Sequence, residues 1–135
     1  MITIGQTYLL KKTISQNDVE LYANSTGDYN PIHFNKEYAE KTRFKRNIVH
    51  GMYLLGLVSN VIGNHLPGNG TIYSTQTVRF HKPVYIGDTV FVRVNVLDII
   101  QDKSKFILET TCFLENDVVV LSGEAVVYNY EINFL

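Results

Sequence analysis

The stretch NIVHGMYLLGLVSNVIGNHLPG, Asn47 to Gly68, contains no Asp, Glu, Lys or Arg. Its Ile48, Val49, Met52, Tyr53, Leu54, Leu55, Leu57, Val58, Val61 and Ile62 place apolar groups nearly all round a helix. That pattern predicts a central core helix covered on most of its sides, since a surface helix shows only a stripe. It does not predict a membrane span. The unbroken apolar run from Met52 to Val58 is far shorter than the roughly 20 residues needed, and Asn60, Asn64 and Pro67 interrupt the remainder of the stretch.

The cover for such a helix is read from the flanks. Downstream, Val90, Val92, Val94 and Val96 alternate along one strand face, Phe106, Leu108, Thr110 and Cys112 along the next, and VVVLSGEAVVYNY supplies a third. Gly87-Asp88, Gln101 to Ser104 and Asn116-Asp117 divide them by short turns, which demand antiparallel pairing because parallel strands need long crossovers. Upstream, after a short N-terminal strand, Ser15 with Asp18 three positions on reads as a capping box. Val19, Tyr22 and Ala23 share a helix face, and Gly27 stops the helix. KEYAEKTRF reads as a further short helical piece. The expected class is α+β, one domain over residues 1–135, with an antiparallel sheet wrapped around a central apolar helix in the hot-dog arrangement.

Composition excludes several functions. A formal net charge of -1 offers no global attraction to nucleic acid or anionic lipid, so neither partner is expected. The one cysteine, Cys112, forms no internal disulfide and alternates with strand residues as a small buried hydrophobe. MITIGQTYLL lacks the features of a signal peptide, which makes the cytoplasm the expected location. GNG at 68–70 lacks the Lys-Ser/Thr of a phosphate loop, no dinucleotide fingerprint follows a strand, and His33, His50, His65 and His81 show no zinc spacing. No cofactor and no metal are expected. Ser59 within GLVSN is not on a nucleophile elbow, which speaks against a serine hydrolase.

The stretch GDYNPIHFN, residues 27–35, is where chemistry concentrates. Asn30 precedes a proline and is pushed out of the helical region, so DYNP is a bend. On a continuous helix Asp28 and His33 would point about 140° apart; across a bend they can converge. Two readings stay open from these residues alone: an Asx-turn with a capping histidine, or an acid/base pair holding a water.

GDYNPIHFN, NIVHGMYLLGLVS and RFHKPVYIGD, in this order over roughly residues 15–100, together resemble the R-specific enoyl-CoA hydratases of the MaoC-like dehydratase family. The resemblance implies the hot-dog fold and reversible hydration of trans-2-enoyl-CoA to (3R)-hydroxyacyl-CoA. It places the hydratase pair on Asp28 and His33, the thioester-polarising backbone amide on Gly51, and a hydroxyl neighbour on Ser59. Gly51 also reads as a helix-packing glycine, and Ser59 as a serine bonded back to its own helix.

Asn30 in the bend and His50 beside Gly51 are substrate-side candidates. For the phosphates of coenzyme A, the cluster Lys41, Arg43, Lys45 and Arg46 is the basic candidate, with an ordinary solvated loop as the alternative. The expected partner is an acyl-CoA thioester or its acyl-carrier-protein counterpart. A lone curved sheet leaves an open edge, so a homodimer is expected, as the resemblance also implies. The alternative functions are a hot-dog acyl-CoA thioesterase and a non-catalytic acyl-thioester-binding subunit.

Overall fold

The computed structural model describes residues 1–134. Strand β1 (Thr7–Thr13) leads into helix α1 (Gln16–Thr26), a 3-10 turn (Pro31–His33) and the short helix α2 (Lys36–Glu40). The long helix α3 (Gly51–Asn64) comes next, and then strands β2 (Ile72–Gln76), β3 (Arg79–Phe80), β4 (Thr89–Ile100), β5 (Lys105–Leu114) and β6 (Val119–Tyr128). These strands pair antiparallel, in the order β1-β4-β5-β6-β2, with β3 also paired to β6. This is the hot-dog fold.

The alternation reads directly into the core. Val90, Val92, Val94, Val96, Phe106, Leu108 and Cys112 are all buried on the inner face, with Val92 opposite Cys112 and Val96 opposite Leu108. Against them α3 turns Leu54, Val58, Val61 and Ile62. Each such aliphatic side chain taken from water contributes about 1.5–3 kcal/mol, so this interface dominates the domain's cohesion.

The helix is covered less completely than its composition predicts. Met52 is 54% exposed, and Ser59 and Asn60 are exposed too. The sheet of a single chain reaches only one side of the helix, and the opposite side stays bare. The helix is also shorter than the apolar stretch. Ile48 forms an isolated bridge to Tyr85 and His50 is the N-cap, so the helix starts only at Gly51.

Two local devices position the segment between the helices. Ser15 and Asp18 make the full capping box, Asp18 N–H donating to Ser15 Oγ (3.1 Å) and Ser15 N–H to Asp18 Oδ2 (2.9 Å). At the other end of α1, Gly27 takes a left-handed conformation (φ 82°) and its N–H returns to the Ala23 carbonyl at 2.7 Å. The chain therefore leaves α1 at a fixed angle one residue before Asp28. No helix among the described residues is long and apolar enough to cross a membrane.

Candidate active site

The bend and the start of α3 are fastened together by several bonds. Ile48 N–H donates to the Ile32 carbonyl (3.3 Å), Asn47 Nδ2 donates to the carbonyls of Ile32 (3.0 Å) and Asn35 (3.2 Å), and the His33 ring reaches the Ile48 carbonyl at 2.6 Å through Nδ1. A carbonyl only accepts, so Nδ1 carries the proton and Nε2 is left with its lone pair. His33 is 8% exposed. Burial lowers its pKa from the ordinary value, helped by nearby His50 and opposed by the Ile48 bond and by Asp28. The ring is therefore held neutral, with a basic nitrogen available.

Asp28 is exposed, and its Oδ1 accepts from Asn30 N–H at 3.3 Å, the Asx-turn expected of this bend. The same carboxylate also converges on His33: one ligand atom each of Asp28, His33 and His50 all lie within 4.8 Å of one another. The bend thus makes the Asx-turn and at the same time brings the Asp28 carboxylate close to His33. Asn30 accepts from Ile32 N–H (3.4 Å), capping the 3-10 turn that aims His33.

Three such groups invite comparison with a metal centre, but the stacking of the two imidazoles argues against it. The rings of His33 and His50 lie 3.7 Å apart and 27° from parallel. In-plane lone pairs on near-parallel rings run alongside one another, whereas bonds of about 2.0–2.1 Å to one ion need them to converge.

Gly51 opens α3, so its N–H is one of those the helix cannot satisfy itself, at the positive end of the helix dipole. A Cβ there would lie 2.7 Å from the Phe80 ring, which makes this a position of close approach. Gly51 is also in the wall of a cleft of about 390 Å³, together with Met52, Leu54, Phe80 and the cationic side chains of Arg43 and Lys82. Asp28 and His33 are not in that wall. The segment Ile48–Gly51 joins the two: Ile48 holds His33, His50 holds Asp28 through its backbone carbonyl, and Gly51 borders the cleft.

The basic candidates part company. Arg43 lines the cleft, while Lys45 and Arg46 line a separate depression with Lys36 and Glu40, Arg46 stacking over the Tyr85 ring at 4.0 Å. Lys45 has a φ of 66°, and the chain turns there. Lys41 is exposed and caps α2. Ser59 lies on the bare side of α3, away from the buried face formed by Leu54, Val58, Val61 and Ile62. Lys82 is the cation of the cleft wall that the sequence reading did not single out. It lies within RFHKPVYIGD, a block that carries the family resemblance but does not by itself mark a cation at a cleft.

A family model described as the MaoC like domain matches residues 2–116. The 3-hydroxybutyryl-CoA dehydratase of Methylorubrum extorquens is 46% identical over 126 residues, covering 93% of this chain and 80% of that protein. The (R)-specific enoyl-CoA hydratase of Rhodospirillum rubrum is 45% identical over 123 residues, covering 91% and 85%. The solved structure of the (R)-hydratase from A. caviae involved in PHA biosynthesis superimposes with a TM-score of 0.91 at 38% identity, over 95% of this chain and 97% of that one. A long helix packed against an antiparallel sheet defines a hot-dog protein, and this one carries an acid and an imidazole on the bend before the helix. The chain belongs to the MaoC-like family.

Proposed function

We propose that this protein adds water reversibly across the C2–C3 double bond of a trans-2-enoyl-CoA, giving the (3R)-3-hydroxyacyl-CoA. The observation that carries this reading is the approach of the Asp28 carboxylate and the neutral His33 ring to within 4.8 Å of one another, on a bend bonded to the segment that leads into Gly51 at the start of α3. The named activities of the relatives support it.

In this reading Asp28 and His33 hold one water between them. As its oxygen bonds to C3, His33 Nε2 takes a proton, and the π electrons move through C2 onto the thioester oxygen. Gly51 N–H and the α3 dipole stabilise the charge that develops there. The proton then returns to C2 from the same face, so the atoms of one water are added and nothing else is consumed. Arg43 and Lys82, in the wall of the cleft, supply positive charge for the coenzyme A phosphates.

The assembly we propose is a homodimer. Its support is the bare side of α3 around Met52 together with the open edge of the sheet at β2, where Ile72 is 59% exposed.

The test is loss of the enoyl-thioester absorbance when the protein is added to crotonyl-CoA and longer trans-2-enoyl-CoA homologues, with chiral analysis of the product. Absorbance unchanged across the series, or a 3S product, overturns the assignment. Sedimentation at several concentrations tests the dimer.

A further inference from the structure

His50 touches both halves of the bend. It is 2% exposed, Nε2 donates to the backbone carbonyl of Asp28 at 3.0 Å, and its ring stacks on His33 at 3.7 Å. Tyr22 of α1 and Phe34 close it in, with ring centroids 4.6 and 6.0 Å away. Next along the chain is Gly51, so the residue that grips the bend also sets where α3 begins. It does so without capping the helix: no side-chain cap bond is made, and Nδ1 is buried with no hydrogen-bond partner among the described residues.

That orphaned acceptor is informative. Leaving a buried polar atom unpaired is costly, and a residue serving only to fill the space needs no second nitrogen. What the imidazole uniquely supplies is a flat face for His33 together with a donor that reaches Asp28 from the same ring. The Asp28 carbonyl fixes the donor as Nε2–H, so in the neutral ring Nδ1 is the bare nitrogen.

We propose that His50 is a positioning residue for the hydration reaction: its Nε2–H pins the Asp28 corner while its ring face fixes the orientation of His33, so that carboxylate and imidazole meet one water. This rests on the hydratase reading above for its kinetic consequence, but not for its structural one. Because near-attack geometry is lost by displacements of about 1 Å, the effect falls on turnover and leaves binding in the cleft largely alone.

Three substitutions dissect it. His50→Gln keeps a donor and removes the ring, His50→Phe keeps the ring face and removes the donor, and His50→Ala removes both. With crotonyl-CoA, we expect kcat to fall about tenfold in each of the first two and further in His50→Ala, with KM within about threefold of wild type. Values of kcat within about twofold of wild type in both His50→Gln and His50→Phe, or a loss confined to KM, overturn the proposal. Ring nitrogen NMR supplies a readout independent of turnover. Wild type should show His33 as the single Nδ1–H tautomer set by the Ile48 carbonyl, and His50→Gln, which removes the ring face that holds His33 against that carbonyl, should change its ring nitrogen spectrum and speed exchange of the Nδ1 proton. A His33 spectrum unchanged in His50→Gln rejects the positioning role whether or not the wild type hydrates the substrate, and a wild type without turnover rejects only the hydratase reading. If His50→Ala does not fold, the two variants that keep a side chain of comparable length carry the test.

Discussion

His33 Nδ1 lies 2.6 Å from the carbonyl oxygen of Ile48, fifteen residues along the chain. That single bond decides which ring nitrogen is basic, and it ties the acid/base corner to the segment that presents Gly51. Most of what can be tested about the site depends on it.

Removing either partner of the pair should abolish most turnover while sparing the fold. Asp28 is exposed and its carboxylate makes only a local turn contact, so Asp28→Asn should leave the thermal midpoint nearly unchanged. The expected loss in kcat is about 10²–10⁴, the usual worth of positioned acid/base catalysis. His33→Ala should lose as much, with some stability, because the ring is buried. Steady-state kinetics and thermal unfolding measured side by side check both.

The pH dependence comes from burial. His33 titrates below its ordinary value of 6.5, chiefly because desolvation disfavours the imidazolium. The unfolded chain therefore binds the proton more readily than the folded one, and the folded state's advantage is complete above about 6.5 and is lost as pH falls through that value towards the depressed one. Turnover should stay level from neutrality down past 6.5 and then drop along a limb set by His33. A limb centred above 6.5 in kcat/KM would contradict this.

Gly51→Ala sets a methyl group 2.7 Å from the Phe80 ring. Phe80 is 47% exposed and can swing aside, so the cost in stability should be small, while the cleft wall beside the Gly51 amide is disturbed. Turnover should fall by about tenfold or more, and the double variant with Phe80→Ala should recover part of it. No recovery would mean that the methyl acts on the amide itself.

Gly123→Ala should be severe. A Cβ on this residue of β6 falls 1.9 Å from the Thr77 carbonyl oxygen, which is backbone and cannot rotate away. Strand displacement of this kind costs about 1–3 kcal/mol or more, and urea unfolding should show it. Gly5→Ala meets no atom within 4 Å and serves as a comparison, with the strain of its φ of 87° as the only expected cost.

Cys112 should resist thiol reagents in the native state. It is fully buried, and burial pushes its thiol up to about 12, so almost no thiolate exists at neutral pH. Rapid labelling of the native protein would contradict the packing of β5.

Strands β4 and β5 were legible because period-two alternation against a dry core leaves little freedom: residues such as Val90, Val92, Val94 and Val96 must all face inward. Strands β2 and β3 were not, because both are short and their Ile72 and Phe80 stay largely exposed, so neither shows the alternation of a half-buried strand. The α1 capping box and its Gly27 stop were local, and so readable. The charge cluster before α3 looked like one patch but is divided by the turn at Lys45, which no spacing rule announces. His50 was visible as a neighbour of Gly51, but its hold on Asp28 spans 22 residues and exists only after folding.

The bonds from Asn47 and Ile48 to Ile32 and Asn35 close residues 36–46 into an excursion whose two ends are buttoned at the base. Within that closure Ala39 is fully buried and the Phe44 carbonyl accepts from the Tyr85 hydroxyl at 2.9 Å, so it is the exposed positions between these anchors that have room to vary. Arg43 is one of those exposed positions, so the charge it lends the cleft can change while the bonds that hold His33 stay in place.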